Sequence, residues 1–460
     1  MLKHIISIFI WTAIGLYLLL VILLHIPYIQ KNLGSQIASA ISHKLDAKVS
    51  IGRVDFGFLN RFIIDDVIIY DRKGKEMIKA ARISARIELI PLTEGKVLIS
   101  SAQIFSSHFS LYRETENAKP NFQFVLDALA SKDTTSHTPL DLRINTFIIQ
   151  RGNIKYDRYD KPHTSGIINP NHLDIRNISA HISLKALKED SVNIAIKKLA
   201  FNEQSGFKLN KLSLKMEGNR KKCKLKEFNL KLPGTELTID SIKASYEFKG
   251  DSIWLPTIKF AGEIKKSTVS PSDFACFLPA LKSFNHKLHI SSLFNGRDCG
   301  IDIPRLTINS DDNSLALSAG GYIKKNTEGV AWYADIKESR CSQDALQSLL
   351  NSTRNTNEDI NRIISKLGDI SLSGRIKSQN KQNGKAQCQI GTGAGSLNIS
   401  ASLANGRLFN GDVKANGIDL KEIFENDEFG IITADAVFDG IMNDNKPTLV
   451  NTKGNISELD

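Results

Sequence analysis

An apolar run from Ile5 to Ile26, broken only by Ser7, Thr12, Gly15 and His25, constrains this chain more than any other feature. As a helix rising about 1.5 Å per residue it spans roughly 33 Å, enough to cross the hydrocarbon core of a bilayer. The rest of the 460 residues differ in character, with short alternating strand patterns and few helical stretches. The junction predicts a single N-terminal anchor that holds a large β-structure against one membrane face. Ile5, Trp11, Leu16, Leu20 and Ile26 are among its apolar positions.

A cleaved signal peptide has a shorter apolar region, usually about 7–15 residues, and small residues at its cleavage site. Here the run continues through His25, Ile26, Pro27 and Tyr28 with no such site behind it, so an uncleaved anchor is expected. Lys3, His4 and the terminal amine precede the run and Lys31 follows it, a mild bias that keeps the N-terminus cytoplasmic and exports the body. From Tyr28 to Leu45, the residues Ile29, Leu33, Ile37, Ile41 and Leu45 recur every four positions, which predicts an amphipathic helix. Its stripe either packs on the first strands or lies along the bilayer surface.

Net charge is +11, with one dense basic cluster at Arg220, Lys221, Lys222, Lys224 and Lys226. A nucleic-acid surface would set such a patch beside stacking aromatics or a groove-reading helix, and neither is present, so no nucleic-acid partner is expected. The cluster reads as a solvated strand face, with anionic lipid headgroups as the alternative contact. Cys223, Cys276, Cys299, Cys341 and Cys388 are odd in number and widely spaced, without a Cys-x-x-Cys. That pattern gives neither a disulfide framework nor a zinc site, and leaves open one isolated pair.

Period-two alternation bounded by Gly, Asn and Asp recurs along the body. It is clean over Leu209–Met216, Phe228–Leu232, Leu237–Ile239, Leu397–Leu403 and Val413–Ala415. Turn signals come every 8–15 residues or so, which predicts a long antiparallel meander of about 30 strands. Helix is expected at Phe122–Ala130, followed by a polar loop from Ser131 to Thr138, then at Ser272–Phe284 and Ser342–Leu367, the last broken near Asn355. The organisation expected is an anchor over 1–27, the amphipathic helix over 28–48 and a β region with a short helix over 49–135. Strand repeats over 136–270, a β region with helical insertions over 271–367 and further repeats over 368–460 complete it. Asn455 to Asp460 still lie inside the strand rhythm, so a longer protein is expected.

A meander with one apolar and one polar face must hide the apolar side. It forms closed cores, or it curls into a trough whose inside holds a ligand. A trough lined by Leu, Ile, Val and Phe suits an acyl chain, because leaving apolar area to water costs about 25 cal/mol per Å². Candidate lining residues are Leu209, Leu212, Leu214, Met216, Phe228, Leu230, Leu232, Leu397 and Ile399.

Several segments resemble one family. Ile37 to Phe58, with Ala38, Leu45, Val49, Ile51, Gly52, Arg53 and Val54, is similar to the opening of AsmA-like proteins, where an amphipathic helix leads into a first strand. Ile63–Gly74 resembles the hairpin that follows, and Leu142–Asp157, with Gly152 and Asn153, a recurring strand unit. Gly411–Leu420 resembles a repeat of the TamB branch. Together these look like the N-terminal portion of a TamB-type translocation and assembly module of a Bacteroides-like bacterium. The resemblance implies a mainly β fold: a single transmembrane helix in the inner membrane, then an elongated, curled antiparallel β-groove in the periplasm. It also implies a non-enzymatic role, either carrying phospholipid or another acyl lipid toward the outer membrane or assisting insertion of outer-membrane barrel proteins. The family's C-terminal domain, which meets an outer-membrane barrel partner, has no counterpart in these residues.

No catalytic constellation or cofactor motif emerges. Gly391, Gly393 and Gly395 precede a strand and not a helix, so a hairpin turn is expected where a phosphate loop would need a helix N-terminus. His286 and His289 fall where Leu288 and Ile290 read as strand, so they diverge and no metal is expected there. Asp65–Asp66 and Asp311–Asp312 are adjacent on strand or turn and also diverge. Ser165 and Ser205, each followed by Gly, lack a nucleophile elbow.

Overall fold

Alternating apolar and polar residues bury one face of a strand pair at a time, and the chain is mainly β as that pattern requires. The structure is a computed structural model that describes residues 2–57, 60–88, 97–130, 140–141, 145–188, 191–250, 252–297, 299–352, 362, 366–380, 382–443 and 446–459. Contacts divide the chain into two units, Met1–Lys215 and Met216–Asp460.

The first unit opens with helices α1 (Leu2–Leu24) and α2 (Pro27–Leu45). Pro27 sits in the first turn of α2, where its missing N–H costs nothing, and Asp46 ends the helix in the left-handed conformation. Among the described residues no single helix is long and apolar enough to cross a membrane. Ile14–Leu24 and Pro27–Leu45, bent by 74° at a short break, are so only as a pair. Strands β1 (Val49–Ser50), β2 (Arg53–Gly57), β3 (Arg61–Tyr70), β4 (Glu76–Ile87) and β5 (Val97–Arg113) follow. Then come α3 (Gln123–Ala130), β6 (Leu140–Asp141), β7 (Thr146–Arg158), β8 (His172–Lys188), β9 (Ser191–Glu203) and β10 (Lys208–Asn219), on which the division between units falls.

In this unit β1 and β2 both pair with β3, and the sheet continues antiparallel through β4 to β5. The next neighbour, β7, is parallel to β5, from Ser101 opposite Thr146 to Arg113 opposite Arg158. The antiparallel expectation fails there because a parallel pair needs a crossover, and the long connection carrying α3 supplies it. From β7 the meander resumes antiparallel through β8 to β9.

The second unit is a sequential antiparallel meander. Its strands are β11 (Lys222–Lys231), β12 (Glu236–Lys249), β13 (Ser252–Val269), β14 (Leu288–Arg297), β15 (Gly300–Ser310) and β16 (Leu315–Asn326). β17 (Gly329–Cys341), α4 (Gln343–Ser352), β18 (Ile370–Asn380), β19 (Asn383–Thr392) and β20 (Gly395–Ala404) continue it. β21 (Leu408–Asp419), α5 (Leu420–Phe424), β22 (Ile431–Asn443) and β23 (Lys446–Leu459) end it. Each strand from β11 to β23 pairs with the next in sequence.

Three expectations change. Twenty-three strands are present among the described residues where about 30 were expected, because most run 10 to 18 residues. Ser272–Phe284 is not one helix but two 3-10 turns, Pro271–Phe274 and Pro279–Ser283. Pro279 has no N–H with which to continue a helix. Asp419 ends β21, and its carboxylate accepts the Glu422 N–H at 2.9 Å and starts α5. Asp followed three residues later by Glu is the capping signature that marks such a start. The face α2 buries is Gln30, Gly34 and Ala38, while Ile29, Leu33, Ile37, Ile41 and Leu45 stay half-buried. The loop at Ser131–Thr138, the boundary near 135, Leu142–Ile144, Phe58 and the helix break near Asn355 lie outside the described residues.

Candidate functional site

In an antiparallel pair, residues directly opposite each other share a face. Followed strand by strand through the second unit, this rule traces one uninterrupted row. It runs Phe228, Ile239, Ile264, Ser292, Leu306, Ala319 and Ile336, then Gly374, Cys388, Ile399, Val413, Ala436 and Gly454. All thirteen strands contribute and none contributes a charge. A neighbouring row, Leu372, Ile390, Leu397, Ala415, Ala434 and Ile456, is apolar throughout. The opposite face carries Gln389, Asn398, Lys414, Asp435 and Asn455 in the matching row. Within the first row only Ile239 and Ser292 are buried and Gly454 is exposed; the rest are half-buried.

Strict alternation would not keep this face apolar, because a single extra residue throws every later side chain to the other side. The sheet corrects itself with bulges. On β12, Ile239 faces Ile264 while Ile242 faces Gly262, so two residues of β12 answer one of β13 and both isoleucines keep the apolar face. Glu227, at φ 53, marks the same break on β11 between Leu225 and Phe228. Irregularities recur in the pairs from β13 to β18. In the first unit Asp66, Ser106, Arg151 and Asn177 take positive φ on β3, β5, β7 and β8, where the ladders skip a pair or shift register.

Aromatic rings pave two stretches of the face by one device. Phe260 faces Gly296 and Phe294 faces Gly262; on later strands Phe409 faces Gly440 and Phe438 faces Gly411. The rings within each set sit with centroids 6.3 and 6.2 Å apart. Each lies where the opposing glycine would carry a side chain: a Cβ on Gly296 would come 2.0 Å from Phe260 Cε1. Phe-x-Gly on consecutive strands is thus a packing motif, and it stands in the sequence unrecognised by alternation alone.

The sequence-derived lining residues divide as follows. Phe228 and Leu230 lie on β11 opposite Ile239 and Leu237, and Leu232, just past the strand, is buried. Leu397 and Ile399 share the apolar face of β20. On β10, Leu209 is buried and Leu212, Leu214 and Met216 are half-buried; Met216 opens the second unit. Of the residues expected in an anchor, Trp11 and Leu16 are each 69% exposed on α1, Ile26 is exposed at the break, and Ile5 and Leu20 lie within the same helix. No family model, curated protein or solved structure matches this chain.

The remaining groups fill structural roles. None of the five cysteines is in a disulfide. Burial pushes the Cys223 and Cys341 thiols up, so they stay protonated and pack as small apolar groups. Gly391 to Gly395 form the hairpin between β19 and β20, with Thr392 opposite Gly395. His286 meets Asp312 at 2.8 Å and His289 meets Asp311, so the two histidines take separate partners. Asp65 lies buried between Arg82 at 2.7 Å and Arg53 at 2.8 Å, while Asp66 turns away at the bulge. On the polar side Lys224 stands directly opposite Lys243, a like-charge pair that an anion would relieve.

Proposed function

We propose that this protein is a membrane-anchored, non-enzymatic carrier of phospholipid or another acyl lipid, whose acyl chains lie along the apolar face of the second unit. The observation that carries this reading is the charge-free row from Phe228 to Gly454, most of it half-buried. Such a face in water would be costly along its whole length, and acyl chains remove that cost without sequence-specific contacts. The exposed apolar side chains of α1 support an anchor in the inner membrane, with the body in the periplasm. The half-buried Ile and Leu stripe of α2 supports a helix resting at the bilayer surface, where lipid would first meet the protein. Delivery toward an outer-membrane barrel partner rests on the TamB-like resemblance alone.

Parity provides the test. Photo-crosslinkers at Ile399 and Ala401 on the apolar face should capture lipid in cells, whereas Asn398 and Ser400 on the opposite face should not. Equal capture from both faces, or from neither, sinks the reading.

A further inference from the structure

At the loop end of the β7–β8 hairpin in the first unit, three potential metal ligands converge: Asp157 on β7, His163 in the connecting loop and His172 at the start of β8. One ligand atom from each lies within 4.8 Å of the other two. His172 is 3% exposed and both its ring nitrogens are placed. Nε2 is 2.8 Å from the Lys161 carbonyl oxygen and Nδ1 is 3.1 Å from Asp157 Oδ1. A carbonyl can only accept, so Nε2 carries the hydrogen, and in the neutral ring Nδ1 is a lone pair aimed at a carboxylate. Two acceptors facing each other need a proton or a cation between them.

The hydrogen bond from Nε2–H to a backbone carbonyl is the outer-shell arrangement that orients a metal-binding imidazole. Around a tetrahedral cation with bonds of about 2.0–2.1 Å, ligand atoms sit roughly 3.3 Å apart. The Asp157–His172 separation already fits. His163 is exposed, and its ring lies over that of His172 with centroids 3.5 Å apart, so a small side-chain rotation brings its nitrogen to the same point. Lys155 Nζ lies 3.2 Å from the other carboxylate oxygen of Asp157, Oδ2, and leaves Oδ1 for the cation. Two imidazoles and one carboxylate select a borderline divalent ion, zinc above calcium or magnesium.

We infer that Asp157, His163 and His172 form a zinc-class divalent cation site that clamps the β7–β8 loop, with a fourth position open to water. The sequence spacing hid it, because the ligands are six and nine residues apart across a long hairpin loop.

Cobalt(II) titration of the chelator-treated full chain in detergent, free of any polyhistidine tag, tests this. The expected result is a visible absorption band that saturates at one equivalent and is bleached by zinc. His163→Ala, at an exposed position, should keep the metal-free thermal midpoint and bind at least about tenfold more weakly. Zinc should raise the midpoint of the wild-type chain and leave that of His163→Ala unmoved. His289→Ala should bind like the wild type. Absence of a saturable band, or unchanged affinity in His163→Ala, overturns the site.

Discussion

In the first unit α2 lies on β1 and β2. Gly34 lets the helix come close, since a Cβ there would sit 3.4 Å from Arg53 Cα, and Val54 on β2 has no exposure at all. Gln30 on the same helix face donates to Asp55 at 2.8 Å. In the second unit the helical pieces pack largely on one another: α4 meets the turn Pro279–Ser283, and Ala345, Phe284 and Cys276 are buried. The long row through Ile399 stays half-open. Among the described residues the largest fully buried side chains, Met77, Val54 and Ser107, all belong to the first unit. Both units carry the same alternation, so alternation specifies that a face exists and leaves open what covers it.

The sharpest break of this comparison is a matched pair of truncations. Met77 is 1% exposed, and Met77→Ala should cost about 3 kcal/mol, the transfer loss plus an unfilled cavity. Ile399→Ala, on the half-open row, should cost about 1 kcal/mol, since part of that side chain is already in water. Amide hydrogen exchange, read separately over β3–β5 and β19–β21, measures each locally. Equal costs would mean that the second unit's face is covered as well as the first's.

Next in size is the buried ion cluster of the first unit. The Arg82 hydrogen bond, then that of Arg53, holds the Asp65 carboxyl below the usual carboxylate range against the opposing effect of burial. A depressed folded value stabilises at pH above the unfolded value of about 3.9 and is lost as pH falls through the folded one. Asp65→Asn should therefore cost about 2 kcal/mol at neutral pH, less than a fully buried pair because both arginines are half in water. The variant should also lose part of the acid-side slope. Urea unfolding at neutral and acid pH compares the two. A cost that stays constant with pH would mean that the carboxylate charge is not what holds the strands.

How far this was legible follows from where the information sits. Leu397, Ile399, Phe228 and Leu230 could be assigned one face because parity is local and needs no partner strand. The bulges break that parity, and the three-residue steps Leu225 to Phe228 and Ile239 to Ile242 are their mark in the sequence. The residues at the breaks, Asp66, Ser106, Arg151, Asn177 and Glu227, share no type, because register with a neighbour sets their conformation. The parallel pairing of β5 with β7 is a long-range choice with no local mark. The most buried face of α2 lies beside its Ile and Leu stripe for a related reason. Small residues contact the sheet where backbones approach closely, so Gly34 and Ala38 are buried ahead of Ile37 and Ile41.

The Phe-x-Gly pairs let the second unit be probed without a charge. Gly296→Ala sets a methyl group against the Phe260 ring, whose atoms lie 2.0 to 2.6 Å from the new Cβ. The ring must leave its place on the face, at a cost of about 1.5 kcal/mol. Phe260→Leu at the same pair should cost about 1 kcal/mol, and the double variant less than the sum, because the clash disappears with the ring. Thermal unfolding of the four chains measures the coupling. Strict additivity would mean that the ring does not lie over the glycine.

The smallest effect should have the opposite sign. Ser106, at φ 50 in the bulge of β5, is exposed, so its side chain does little while its backbone sits where an L-residue is strained by about 1–2 kcal/mol. Glycine removes that strain and gives back about 0.5–1 kcal/mol through its freer unfolded chain. Ser106→Gly should thus stabilise the first unit by about 0.5 kcal/mol. The neighbouring Ser107→Gly, at a residue 1% exposed with an ordinary backbone, should destabilise it. Denaturant midpoints of the two variants suffice, since only the signs matter. Loss of stability in both would mean that the break at Ser106 is held by its side chain and not by the register of β4 and β7 on either side.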